Sequence, residues 1–337
     1  MRFAAPDNQR VILAERPVGP LADHHFMIED VATTPPHDGD VVCRTWWLSI
    51  DAAARTWMQG RTYRERLEVG DVIPGAAVAE VVVSRADHVP AGTIVRCDSG
   101  WQRYATLPGS AVRPVDDAVP ITRHLSVLDV TGHTAYFGLF DVGALRPGET
   151  VVVSAAAGAT GSLVGQLARI AGARIIGIVG SDDKGALLVE RLGFDGFVNR
   201  HASDLRSALR TACPDGADVY FDNVGGPILA TMLRAMNLRG RIVCCGAASQ
   251  YDKETPDPGP AGVPGLLVTK RLRMEGFIVF DYAHRFDEAN AALRRWLDDG
   301  SLVAVEDIVE GLASAPGALI GLLAGSNVGK RLVRVAD

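Results

Sequence analysis

The sequence predicts an α/β protein in which a doubly wound parallel sheet accompanies a mostly β region. Three observations carry this. Apolar runs up to about residue 120 are short and cut by Gly, Pro and Asp; after about residue 125 strand-like and helix-like stretches alternate; and a Gly/Ala-rich turn joins strand to helix at residues 151–165. Short punctuated runs suit a β domain, whereas parallel neighbours need crossover connections that place helices on both faces of the sheet.

In the first region the runs are 11–13, 40–44, 77–83, 93–96 and 101–105. The alternation then takes over. Val151-Val152-Val153 leads into the Gly/Ala-rich helix, followed by a strand at 174–179 and a helical stretch near 186–192. It continues through 197–198, the amphipathic 203–212, 219–221, the helical 227–236, and the strands 241–245 and 273–279. Residues 250–265 are polar and broken by Pro256, Pro258, Pro260 and Pro264, which reads equally as a lid or as a tolerated surface loop. Ala289, Ala292, Leu293, Trp296 and Leu297 recur at helical spacing over 285–299, and Gly300 stops that helix. The stretches 303–309 and 329–335 are β-rich again, with a short helical run between them.

At 337 residues the chain is long enough for one or two sizeable cores. Lys and Arg number 34 against 40 Asp and Glu, with no dense basic cluster, so nucleic acid is not expected as a partner. The first residues lack the apolar core of a signal peptide, and the long uncharged stretch 150–168 is too rich in Gly, Ser and Thr for a spanning helix. A cytoplasmic protein without membrane partners is expected. The five cysteines are odd in number and form no C-x-x-C, which reads as buried thiols in a reducing compartment. Histidines are scattered and unaccompanied by cysteine pairs, so no metal centre is expected.

The turn after the first strand of the alternating region carries the clearest chemistry. Ala156, Gly158 and Gly161 occupy a G-x-G-x-x-G pattern with Ala in its first place, and Ala159 and Thr160 lie between the two glycines. Gly158 lets backbone N–H groups approach a pyrophosphate at the helix N-terminus, and Gly161 lets helix and strand pack closely. The second strand ends at Val179-Gly180-Ser181, where an NAD site would carry a carboxylate for the ribose; none is there. Lys184 follows, and Arg200 closes the next short strand, so two cations are available to a 2′-phosphate. NADPH is therefore expected in preference to NADH. Asp182 and Asp183 stand against this, and read as capping the helix start.

These stretches, with 134–139, 148–161, 180–184, 218–226, 245–251, 271–282 and 306–312, give the chain a specific likeness. It resembles the zinc-independent medium-chain dehydrogenases/reductases, in particular the NADPH-dependent leukotriene B4 dehydrogenase/prostaglandin reductase group of alkenal/one reductases. The resemblance implies a GroES-like β-rich catalytic domain from both chain ends, 1–124 and 296–337, around a Rossmann domain, 125–295, with the active site in the cleft. It also implies roles by position: Gly158–Gly161 at the pyrophosphate and Lys184 at the 2′-phosphate. Asn223 falls on the family's cofactor-binding Asn and Cys245, Gly246, Ala247 and Ser249 on its nicotinamide-side loop, with Phe277, Ile278 and Val279 beside the nicotinamide and Asn327 as a late cofactor contact. Arg200 stands where the family usually has Tyr. The family's D-P-Y-M-R reads Asp51-Ala52-Ala53-Ala54-Arg55 here, so an aromatic wall of the pocket is replaced by Ala53.

Without a Lewis acid, reduction of a conjugated C=C suits these groups better than alcohol oxidation. Hydride delivered to the β-carbon of an enone or enal leaves an enolate, whose oxyanion needs a hydrogen-bond donor. Tyr251, beside the Pro-rich loop, is the candidate by position and by resemblance. Tyr63, Tyr104 and Tyr282 are candidates for lining the pocket. The alternatives are an NADPH quinone reductase and a non-catalytic NADPH-binding sensor; a methyltransferase would give Lys184 and Arg200 no phosphate to neutralise. A homodimer through 273–280 is implied by the resemblance.

Overall fold

In the computed structural model, which describes residues 6–335, every apolar run anticipated before residue 120 overlaps a strand. β1 (Asp7–Leu13) pairs antiparallel with β2 (Phe26–Ala32), a strand that apolar patterning does not reveal because most of its side chains are exposed. β3 (Asp40–Ser49) leads through α1 (Ala53–Gln59) to β4 (Ala77–Ser84), β5 (Ile94–Cys97), β6 (Tyr104–Pro108) and β7 (Arg113–Pro114). Trp101 is 1% exposed, and its indole occupies the space a Cβ on Gly75 would need, 2.8 Å away.

The alternating region then forms a second compact unit, Val127–Val305. Its elements are α2 (Val130–Phe137), β8 (Thr150–Ser154), α3 (Ala159–Ile170), β9 (Arg174–Val179), α4 (Asp182–Leu192), β10 (Gly196–Asn199), α5 (Leu205–Ala212), β11 (Ala217–Asp222), α6 (Gly226–Ala235), β12 (Met236–Cys244), α7 (Val263–Lys270), β13 (Arg273–Gly276) and α8 (Phe286–Asp298). The six strands are parallel throughout, in the order β10-β9-β8-β11-β12-β13. Val151, Val152 and Val153 are wholly buried, as expected of a central strand covered on both faces. The chain moves outward from β8 in one direction and from β11 in the other, so the sheet reverses between those two strands.

Two details differ from the sequence expectation. The irregular stretch ends at Gly262, whose left-handed backbone (φ 74°) starts α7, with Pro264 in the first turn. The chain also leaves this unit after Val305 rather than after 295. Leu302 N–H donates to Trp296 O and Val303 N–H to Gln166 Oε1 (both 2.8 Å), which ties the residues following α8 to the parallel-sheet unit.

From Glu306 the chain rejoins the first unit, which otherwise comprises the residues up to Ser126. It contributes β14 (Glu306–Glu310), α9 (Ala315–Leu323) and β15 (Lys330–Arg334). β15 pairs with β3, completing a seven-stranded sheet ordered β14-β15-β3-β4-β5-β7, with β6 also on β3. Lys330, its side chain 4% exposed, pairs with Asp51 just beyond β3. No described helix is long and apolar enough to cross a membrane.

Candidate functional site

Open α/β sheets bind ligands outside the carboxyl ends of their strands, where the strand order reverses. Here that place is formed by the ends of β8, β11 and β12. After β8 the chain turns sharply: Ala155 takes φ 49°, costing an L-residue roughly 1–2 kcal/mol, and Gly158 N–H closes the turn on Ala155 O at 2.9 Å. The left-handed residue is thus Ala155, one before the Ala156 that fills the first glycine place of the motif. α3 follows with Gly158 as its N-cap, no capping side chain and no acidic residue in its first turn. Its leading N–H groups, including those of Ala159 and Thr160, sit at the positive end of a 12-residue helix.

The turn fits a dinucleotide phosphate. A Cβ on Gly161 would stand 2.3 Å from Ala155 O and 2.8 Å from Ala156 Cα, so only glycine lets the helix press this closely on the turn. A Cβ on Gly158 would meet only Ala155 O, at 3.2 Å, which leaves that glycine's outer side open.

The loops after β11 and β12 are bound to this turn. Asn223 N–H donates to Ser154 Oγ (2.9 Å) and Asn223 Nδ2 to Ser154 O (2.8 Å), which leaves the Asn223 side-chain carbonyl as an acceptor. Cys245 and Gly246 N–H both reach Asp222 O, at 2.9 and 3.1 Å, while Ala248 and Ser249 N–H reach Asn223 O and Val224 O. Gly225 and Gly226, both at positive φ, let the loop fold under Ser249. Burial beside the Asp222 carboxylate pushes the Cys244 thiol up to about 11 and the Cys245 thiol up to about 12, so both are protonated at neutral pH.

Tyr251 turns back over this loop. Its hydroxyl accepts Ala247 N–H at 3.3 Å and stands 3.1 Å from where a Gly246 Cβ would be. Burial raises the Tyr251 pKa above the usual phenol value, and the bond from Ala247 only partly opposes this. The hydroxyl therefore keeps its proton.

At the end of β9, Ser181 rather than either aspartate caps α4, its Oγ accepting Lys184 N–H at 3.4 Å. Asp182 accepts from Asn199 Nδ2 at 3.0 Å. The exposed Arg200 guanidinium lies over Gly180, 3.6–3.9 Å from where its Cβ would be, and its Nε donates to His201 Nε2 at 3.1 Å. Gly180, Lys184 and Arg200 thus share one end of the sheet, and His201 is a neighbour that the motif reading does not include.

The remaining candidates fall into separate groups. Phe277, Ile278 and Val279 follow β13, whose last residue pairs with Cys244. The Phe277 ring meets Tyr282 edge-on (6.3 Å), and Tyr282 stacks on Phe137 at 4.8 Å. Ala53, Tyr63, Tyr104 and Asn327 belong to the first unit. Ala53 opens α1, Tyr63 sits edge-on to Trp57 (6.2 Å), and Tyr104 opens β6 opposite Arg44. Asn327, 8% exposed, donates to Gly329 O at 2.8 Å. Among the described residues no group of three or more His, Cys, Asp or Glu converges as metal ligands.

Sequence reasoning passed over Ser154 and Asp222. Both are wholly or almost wholly buried polar residues at strand ends, and burial of a polar residue is not visible in its chain-local pattern. Their significance depends on which strands become neighbours.

Residues 9–115 match the family of N-terminal domains of oxidoreductases, and residues 159–295 match the zinc-binding dehydrogenase family. The chain is 40% identical to rat (Rattus norvegicus) prostaglandin reductase 1 over 93% of its length and 94% of the relative's. It is 39% identical to the NADP-dependent 2-alkenal reductase of Nicotiana tabacum over 98% of both chains. Among solved structures, CurA from Vibrio vulnificus in complex with NADPH superposes with a TM-score of 0.94 at 35% identity, covering 98% of this chain and 99% of that one.

Proposed function

The chain belongs to the zinc-independent medium-chain dehydrogenase/reductase family, and from that premise we propose that it reduces the C=C bond of α,β-unsaturated ketones and aldehydes with NADPH. The observation that carries this reading is the meeting of a glycine phosphate turn, a cationic pair and a protonated tyrosine at the strand ends of one sheet. The relatives named for alkenal and prostaglandin reduction support it.

In this reading the N–H groups of Gly158 to Gly161 hold the pyrophosphate, and Lys184 and Arg200 hold the 2′-phosphate. Asn223 contacts the cofactor, and Cys245, Gly246, Ala247, Ser249 and Phe277 to Val279 flank the nicotinamide. NADPH, when bound, supplies the hydride that the β-carbon of the substrate receives. Negative charge then collects on the substrate carbonyl oxygen, where Tyr251 donates its hydroxyl proton in a hydrogen bond to the enolate. A donor preorganised by a backbone bond and by burial is worth more there than one in water. Within the first unit, Ala53 leaves room for a bulkier substrate than an aromatic residue would.

The test is turnover of NADPH and NADH with medium-chain enones, enals and quinones, with the products identified. Saturated carbonyl products formed with NADPH support the reading. Activity confined to quinones, or NADPH binding without consumption of any substrate, overturns it.

We place the protein in the cytoplasm, in keeping with five free cysteines, and as a homodimer. β13 is an edge strand with all four residues exposed, and Met274, Ile278 and Phe280 extend the exposed apolar surface around it. A second copy pairing there would satisfy the edge. Light scattering showing a single monomeric species would contradict the dimer.

A further inference from the structure

We infer that Asp222 is a positioning residue which locks the loops after β8 and β11 together, so that the affinity for NADPH depends on its buried carboxylate. The inference rests on the cofactor reading above. Asp222 ends β11 and is 2% exposed. Its Oδ1 accepts from Ser154 Oγ at 3.1 Å, Tyr220 OH at 2.8 Å, Val224 N–H at 3.0 Å and Gly225 N–H at 2.8 Å. All four are neutral donors.

A single oxygen has two lone pairs, and four donors crowd onto this one. A full negative charge tolerates such sharing far better than a neutral amide oxygen does. The donors also differ in what they connect. Val224 and Gly225 shape the loop that runs to Ser249, and Tyr220 belongs to the same strand as Asp222. Ser154 alone comes from β8, immediately before the phosphate turn. Its hydroxyl bridges the strands, donating to Asp222 while accepting Asn223 N–H. The carboxylate thus fixes the phosphate turn against the loop carrying Asn223, two parts of the cofactor site that the sequence supplies separately.

Two substitutions distinguish this role from general support of the core. Ser154→Ala and Tyr220→Phe each remove one hydroxyl donor from Asp222, but only the first removes a donor that comes from β8; the bond from Asn223 Nδ2 to Ser154 O remains in both. NADPH binding, followed by the cofactor's fluorescence, is expected to weaken about tenfold in Ser154→Ala and to stay within about twofold in Tyr220→Phe, even where both melt at lower temperature. Asp222→Asn, which keeps the shape and loses the charge, is expected to weaken binding at least as much as Ser154→Ala. Its KM for NADPH rises while kcat at saturating cofactor stays within about threefold. Unchanged NADPH affinity in folded Ser154→Ala overturns the inference whether or not Asp222→Asn folds, as does equal weakening in Ser154→Ala and Tyr220→Phe. Wild-type protein that binds no NADPH overturns the cofactor reading as well, so the two failures are told apart before any variant is made.

Discussion

Replacing Gly161 by Ala tests the phosphate turn at its tightest point. The added Cβ would lie 2.3 Å from Ala155 O and 2.9 Å from Ala155 C, with Ala156 Cα at 2.8 Å. These are backbone atoms that cannot rotate aside. Ordinary contact begins near 3.4 Å, so the turn or α3 must retreat by about an ångström. Overpacking of that kind costs about 1–3 kcal/mol. For a unit of this size that corresponds to a fall in Tm of roughly 2–12 °C. The displaced residues include Ala155, whose carbonyl closes the turn on Gly158, so the donors facing the phosphate move too. NADPH affinity is expected to fall by about tenfold, equivalent to about 1.4 kcal/mol. Gly158→Ala is the control: its Cβ meets one backbone atom at 3.2 Å, so the melting temperature should fall less than in Gly161→Ala, while a phosphate brought close to Gly158 would still feel the methyl group. Thermal melts and fluorescence titration with NADPH read both quantities. A Gly161→Ala protein with wild-type Tm and wild-type affinity would show that close packing of α3 on the turn is not needed for fold or binding.

Three further outcomes follow. Arg200→Ala, removing the exposed cation proposed to meet the 2′-phosphate, should weaken NADPH binding by about tenfold and leave NADH within about twofold, read as the ratio of KM values; the ratio is unchanged if Arg200 does not face the 2′-phosphate. Tyr251→Phe should lower kcat roughly 10²-fold with NADPH affinity nearly intact, and full turnover at saturating substrate would remove Tyr251 from the chemistry. Lys330→Met should destabilise the protein by about 1 kcal/mol, since Asp51 loses its ammonium partner but is partly exposed and keeps its hydrogen bond from Ser49. Burial alone would raise the Asp51 pKa, but the Lys330 charge and the hydrogen bonds from Lys330 and Ser49 outweigh it and hold the carboxyl below its ordinary value. A depressed folded-state pKa gives stability that is present at neutral pH and is lost as pH falls below about 4. The Tm gap between wild type and Lys330→Met should therefore narrow in acid, and a gap constant from pH 7 to 3 would contradict the pairing.

The parallel sheet was legible because its strands are short Val- and Ile-rich runs separated by amphipathic helices, a pattern that β8 and α8 show plainly. β2 was not, since its exposed Met27, Ile28 and Asp30 carry no burial pattern. α7 was hidden for a related reason: none of its residues is buried, and prolines precede it. Within the candidate site, the Gly158–Gly161 turn could be read directly, as could cations in place of the ribose carboxylate, because chain-local spacing encodes them. The contact of Arg200 with Gly180 depends on β10 lying beside β9. The contact of Asp222 with Ser154 depends on β11 lying beside β8, and a sequence does not display strand order. Ala155 adopting the left-handed conformation one place before the motif's first position is likewise a property of the folded turn.

The most direct test of the account is NADPH oxidation by the purified protein with a medium-chain enone, with the product identified by mass and by loss of the conjugated double bond. A saturated ketone is expected, formed in step with NADPH consumed, with much slower reaction with NADH. Reduction of the carbonyl to an allylic alcohol, or NADPH bound and never consumed across enones and enals, would contradict it.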